Sequence, residues 1–195
     1  MFVFEYCSFY LCAVMKRETS PVRERILETA TLLFYTQGYN LTGINQIIEE
    51  ADIAKASLYQ HFPSKEDLAV AYLAQKSKDY MNAVENAVAS GNSPKEKVLL
   101  AFDFLKKHQE NSNFRGCNFL NIISEVPLGN VKIIAEVQKQ KASMQRFFKK
   151  ILEGTDNEHL SDEVFLIFEG ATVTSTFTQN TDFIDLAIKV IEEKL

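Results

Sequence analysis

Turn-forming residues are scarce in this chain, with 7 glycines and 4 prolines among 195 residues. Few turn-formers, together with long apolar patterns of 3.6-residue period, predict an all-helical fold. Cysteine is scarce too. Cys7, Cys12 and Cys117 are odd in number and form no CxxC pair. That excludes a disulfide framework or zinc site and fits a reducing cytoplasm. No apolar run is long enough to span a bilayer, and no repeat or low-complexity tract occurs. An excess of positive charge is also missing: the net charge is −5, so the whole molecule is not a polycation.

What is present is ordinary for a globular protein: 46% hydrophobic and 24% charged residues, in a chain long enough for one or two small domains. The first fourteen residues, MFVFEYCSFYLCAV, depart from this. They are strongly apolar, and they carry Glu5 with no basic residue, which does not fit a signal peptide. Met15-Lys16-Arg17 reads as a natural second start. The extension (residues 1–19) is therefore expected to be a gene-start error, the alternative being a real segment that packs on a partner or on crystal neighbours.

Helix signals then follow one another. Ser20-Pro21 reads as a cap with proline at the first helical position, opening a helix through Ile26, Ala30, Leu33 and Phe34 that stops at Gly38. Short helices are expected at about 43–50, capped by Thr42, and 54–61, with Asp52 in the turn between them. Ser64 with Asp67 forms a capping-box pattern for a helix running to about residue 89. Ser93-Pro94 opens the next helix, the polar loop 111–116 ends it, and 117–126 forms a shorter one closed by Pro127. A long helix is expected at 131–152. Ser161 is read as the cap of a helix at 162–178, and Asp182 as the cap of the last, 183–195.

The stretch from Asn40 to Leu68, NLTGINQIIEEADIAKASLYQHFPSKEDL, contains two short helices around a tight turn, then a third entered through Pro63-Ser64. That is a helix-turn-helix with a supporting helix, a shape suited to a DNA major groove. The last two helices carry a different signal. Val164, Phe165, Ile167, Phe168, Ala171, Thr172 and Thr176 cover more than one face, as do Phe183, Ile184, Leu186, Ala187, Ile188, Val190 and Ile191. A helix apolar nearly all round is buried on both sides. Either it lies deep inside one domain, or one face packs inward while the other forms a two-fold bundle with a second subunit; the second is preferred.

The first helix with Gly38-Tyr39, the caps, and above all LYQHFPSKEDL resemble the DNA-binding domain of TetR-family transcriptional regulators, over about residues 20–73. The resemblance implies an all-α homodimer. Residues 20–66 would form a three-helix DNA-binding domain on a palindromic double-stranded operator, and 67–195 a helical ligand-binding and dimerisation domain paired through about 162–178 and 183–195. It implies DNA contacts from Thr42, Lys55, Tyr59, His61 and Lys65; Ser57 and Gln60, on the same recognition helix, could reach base edges, Gln pairing in bidentate fashion with adenine. Thr42 could be a plain cap, and His61 a packing or capping residue. Leu58 and Phe62 read as anchors. Two positions depart from the family pattern: Asp52 replaces the usual turn glycine, and Ala54 the usual Ser or Thr cap. From Lys16 to Tyr80 eight Lys/Arg face nine Asp/Glu. Phosphate contact therefore has to come from local placement of Lys16, Arg17, Arg23, Arg25, Lys55 and Lys65, and from dimerisation.

Phe102, Phe119, Ile122, Met144, Phe148, Phe165, Phe168 and Thr172, with Leu105 and Phe147, are large or polar-tipped residues at helical spacing. Each is a candidate for an apolar effector cavity or simply for the core. Asn118, Asn121, Thr176 and Gln179 are further candidate polar fixtures. Cys117, near Arg115 and a helix N-terminus, is a candidate thiol sensor or an inert buried thiol. No nucleophile–base or metal-ligand arrangement surrounds His61, so the expectation is a non-enzymatic, cytoplasmic regulator without cofactor or metal and without a membrane partner. The expected function is a repressor released from its operator by a small apolar molecule, the alternative being control by a protein partner or by oxidation of Cys117. For the chain's start, mass spectrometry of the native protein is expected to find Met15 at the N-terminus; an intact Met1 would overturn that expectation.

Overall fold

A computed structural model of the chain describes residues 21–195, which form nine α-helices and one 3-10 turn, with no strand among them. Expectations for the 1–19 extension, the Met15 start, the Ser20 cap, Lys16, Arg17, Cys7 and Cys12 fall outside the described residues. The chain divides into two compact units, the first ending at Tyr72 and the second running from Leu73 to Leu195.

In the first unit α1 (Val22–Thr36) turns Ile26, Thr29, Ala30, Leu33 and Phe34 inward. Pro21 occupies the cap position and not the first helical one. Gly38, at φ 92, ends the helix in a conformation that only glycine adopts without strain. α2 (Ile44–Glu50) and α3 (Lys55–His61) follow, and both pack on α1. Neither has a side-chain cap, because Gly43 and Ala54 occupy the cap positions. This corrects the assignment of Thr42 as the cap of α2. Asp52 stands in the turn at φ 50, the left-handed conformation expected of it. α4 (Lys65–Val88) opens as its sequence predicts. Ser64 Oγ accepts from the Asp67 amide at 3.0 Å and donates to the Asp67 carboxylate at 2.6 Å. The expected division after residue 66 falls within this helix; Tyr72, one step before the observed division, rests its ring edge-on against Phe34 at 5.5 Å.

The second unit contains the rest of α4, then α5 (Pro94–Asn111), α6 (Asn118–Glu125), α7 (Val131–Leu152), α8 (Ser161–Thr178) and α9 (Asp182–Lys194). Ser93 caps α5 by accepting from the Glu96 amide, and Glu96 reaches back to the Asn92 amide at 2.7 Å. Two expected caps are displaced. A 3-10 turn at Glu158–Leu160 runs straight into α8, so Ser161 is its first residue. Thr181 precedes α9, and Asn180 Oδ1 accepts from the Asp182 amide at 3.2 Å. At the centre lie three rings, Phe102, Phe148 and Phe168, with centroids 5.3 to 6.4 Å apart.

α8 and α9 bury Val164, Phe168, Ala171, Ile184, Ala187 and Ile191 against this core. Their other faces are open. Leu166 (70% exposed), Val173 and Phe177 (68%) form one stripe on α8 at spacings that close a helical face, and Phe183 and Leu186 stand exposed on α9. The described residues therefore bury one face of each helix and leave the other open. At the Asp52 turn, Asp52→Asn is expected to leave stability unchanged, whereas Asp52→Val, whose branched Cβ tolerates left-handed backbone poorly, should cost about 1–2 kcal/mol; chemical denaturation measures both.

Candidate nucleic-acid interface

Two seven-residue helices are too short to persist alone in water. α2 and α3 are held by four buried side chains, Ile47, Ala51, Leu58 and Phe62, all 3% exposed or less. α1 lies beneath them. Leu58 and Phe62 are the anchors the sequence predicts. The Phe62 ring also carries the Arg23 guanidinium at 5.1 Å, so this cation, expected near DNA phosphates, sits on an aromatic face.

With Leu58 fixed inward, the other residues of α3 take their directions from a turn of ~100° per residue. Ala56 and Gln60 fall opposite Leu58, with Tyr59 on one flank and Ser57 on the other. Exposure agrees: Lys55, Ala56, Tyr59, Gln60 and His61 are exposed, and Ser57 is half-buried. The structure therefore places Gln60 in the middle of the open face with Tyr59 at its edge, while Lys55 and His61, about 60° to either side of Leu58, are exposed at the two ends of the helix. Ala56 shares the middle of that surface with Gln60 and was not singled out from sequence. The period of the helix with Leu58 as anchor would have found it.

Thr42 is placed differently from the expectation. It is fully buried, its hydroxyl donates to the Gly38 carbonyl at 2.7 Å, and it accepts from Gln37 Nε2 at 3.3 Å. It braces the loop between α1 and α2 from inside. Gln37 extends the brace: its amide and that of Gln46 bond to each other, and Gln46 Nε2 donates to Glu50 at 2.9 Å. The two glutamines were missed because their pairing joins residues nine positions apart on different helices. Lys65 is half-buried, its ammonium 4.2 Å above the Tyr39 ring. Burial first, and the Glu66 carboxylate second, hold the Tyr39 phenol above its ordinary range.

The charge problem sharpens in the first unit. Its described residues hold four cations, Arg23, Arg25, Lys55 and Lys65, against seven carboxylates. Two of those cations, Arg23 and Lys65, lie over rings. Lys55 is the exposed cation at the start of α3.

The effector candidates divide. Phe102, Phe119, Ile122, Met144, Phe148 and Phe168 are core residues, none more than 4% exposed. Phe165 is half-buried. Thr172 is buried and donates to the Phe168 carbonyl, and Thr176 donates to the Thr172 carbonyl. Asn121 and Gln179 likewise bond backbone carbonyls, of Arg115 and Phe114. Cys117 occupies the cap position of α6 and is partly accessible. The cation that reaches it is Lys141, unseen in the sequence because it comes from α7. A groove of about 920 Å³ at the end of α7, lined by Arg146, Lys149, Lys150 and the 158–162 turn, includes none of the effector candidates. Among the described residues no group of His, Cys, Asp and Glu is arranged to hold a metal, and no helix is long and apolar enough to cross a membrane.

Comparison with known proteins agrees with this geometry. Residues 26–72 match the family described as bacterial regulatory proteins, tetR family. The chain is 40% identical over 86 residues to the HTH-type transcriptional regulator YxaF of Bacillus subtilis, a match spanning 44% of each chain, so less than half of that relative is covered. It is 24% identical over 186 residues to the HTH-type transcriptional repressor DhaR of a Mycobacterium species, spanning 90% of this chain and 93% of the other. The fold superposes on SCO4454, a TetR-family regulator from Streptomyces coelicolor, with a TM-score of 0.76, 25% identity, and 89% and 95% of the two chains covered.

Gly43 and Ala54 both hold extended cap backbone, and a side-chain carbon at Gly43 would meet nothing within 4 Å. Ala54→Ser is expected to stabilise the unit by about 1 kcal/mol and Gly43→Ser by a few tenths, and both, by adding a hydroxyl at a helix start, to tighten DNA binding. Thermal unfolding and DNA titration test the pair; a loss of both stability and affinity would refute it.

Proposed function

We propose that the chain is a repressor of the TetR type, the family its first unit and fold resemble: a homodimer that grips a palindromic operator and releases it when a small, mainly apolar molecule binds the second unit. The observation that carries the DNA-binding part is the open face of α3, where Lys55, Ala56, Tyr59, Gln60 and His61 stand out around the buried Leu58. Gln60 offers a bidentate amide to adenine, and the Ala56 methyl suits a thymine methyl. Lys55, Tyr59 and His61 on the flanks suit phosphates and sugars, which fix register. Lys65 and the loop braced by Thr42 support the same surface.

The homodimer is supported by the apolar stripe of Leu166, Val173 and Phe177 with Phe183 and Leu186 on α9. A self-complementary four-helix contact buries it. Pairing sets two recognition helices about 34–36 Å apart, one turn of B-DNA, and doubles the few cations each head supplies. Release follows if the effector favours an arrangement in which that spacing is lost. α4 is the element to carry the change, since one continuous helix belongs to both units.

Selection of bound sequences from random duplex DNA is expected to enrich a palindrome; no enrichment would sink this reading. Gln60→Ala should cost about 1–3 kcal/mol and relax preference at one position of each half-site. Phe177→Glu should give monomers by light scattering and abolish operator binding while helicity is retained.

A further inference from the structure

Among the described residues of the first unit two large apolar side chains stand exposed, Leu41 at 78% and Tyr59 at 43%. Both belong to the helix-turn-helix stretch. Tyr59 lies at the edge of the open face of α3, and Leu41 lies in the loop that leads into α2. A single exposed leucine is ordinary on a protein surface. This one sits on a fixed loop. Its carbonyl accepts from Gln37 Nε2 at 3.2 Å, and the Thr42 amide donates to the Tyr39 carbonyl at 3.3 Å. The buried Thr42 hydroxyl donates to the Gly38 carbonyl at 2.7 Å. The backbone is therefore held on both sides of an apolar side chain that stands in water.

The surroundings of that loop say what it adjoins. Lys65, the first residue of α4, holds its ammonium 4.2 Å above the Tyr39 ring, so the α1–α2 loop meets the junction of α3 and α4. Leu41 is two residues beyond Tyr39, a reach of at most about 7 Å. Lys65 is four residues beyond His61, where α3 ends. Leu41, Lys65 and the end of α3 thus share one region of the unit. In a helix-turn-helix on DNA the second helix enters the major groove and the first crosses the backbone. A residue at the entrance of the first helix therefore meets backbone and not base edges. Between its phosphates the backbone presents the carbon-rich edge of deoxyribose, which an aliphatic side chain covers well. The charge balance of the unit favours such a contact, since four cations face seven carboxylates and two of the cations lie over rings.

We propose that Leu41 is a DNA-contact residue that packs on the sugar edge of the operator backbone where α2 crosses it. This rests on the reading of the chain as a DNA-binding regulator and adds a contact to it. The contact carries no sequence information, because the sugar edge is alike at every base pair. It neutralises no phosphate, so it releases no counterion and adds affinity that salt does not remove. Its source is apolar area taken from water on both partners. Because the loop is already fixed, little ordering is left to offset the gain on binding. Leu41 thereby gives a unit poor in cations a grip that does not depend on charge.

The test measures binding of the full chain, over a series of salt concentrations, to a duplex that it selects and to a scrambled duplex of the same composition. Leu41→Ser is expected to weaken binding about 5-fold for each unit engaged. The loss should be equal on the two duplexes, with the salt slope and the unfolding midpoint unchanged. Leu41→Lys should steepen the fall of log K with log salt by about 0.9 for each unit engaged, because the new ammonium meets a phosphate. Leu128, 97% exposed in the second unit, is the matched control. Leu128→Ser and Leu128→Lys should leave affinity and slope as they are. The proposal is overturned if Leu41→Ser binds as the unsubstituted chain does, if its loss appears on the selected duplex alone, or if Leu41→Lys has the same slope as Leu128→Lys. Should the unsubstituted chain bind neither duplex, the regulator reading falls and takes this contact with it, whereas binding untouched by the Leu41 substitutions removes the contact alone.

Discussion

The outward chemistry of the first unit depends on the burial of Leu58. A seven-residue helix has no stability of its own, so α3 exists where and how its single fully buried side chain is seated on α1, with Phe62 closing its end. Rotating that seat by one residue would replace Ala56 and Gln60 with other groups at the centre of the open face. Removing it would remove the helix. The same dependence explains why Thr42 and Gln37 are turned inward: a loop leading to such a short helix has to be braced, and the buried hydroxyl and the paired amides do this.

Local features were legible because they depend on residues close in sequence. The Ser64–Asp67 and Ser93–Glu96 starts, the left-handed Asp52, the Gly38 stop and the missing cap at Ala54 each involve a few neighbours, and each stands as its residues imply. Displaced caps at Ser161 and Asp182 show the limit even there, since a 3-10 turn and an Asn180 side chain took those positions. What could not be read depends on distant pairing. Nothing near Cys117 in sequence announces Lys141. The apolar candidates of the second unit were legible as large residues on inward faces. Whether such a residue touches a guest or its own kind is decided by three-dimensional fit, and Phe102, Phe148 and Phe168 meet one another.

The proposed function couples electrostatics to association. A first unit with more carboxylates than cations holds a polyanion weakly on its own. The open apolar stripe on α8 and α9 gives a route to presenting two such units together. In the proposed dimer, affinity arises from a hydrophobic contact between subunits, and each weak phosphate contact is made twice. A dimer of that kind would respond sharply to anything that alters how its two halves are spaced, because neither half binds well alone.

The vacant caps at Gly43 and Ala54 have an evolutionary consequence. Serine lies a single-base change from alanine codons and from two of the glycine codons, and both sites have extended backbone ready for it. On the proposed reading, the grip on DNA can therefore be raised in small heritable steps without rebuilding α3 or touching the residues proposed to face the bases. Its set-point and its sequence preference can drift independently, so a duplicated copy could keep its operator while changing how readily it lets go.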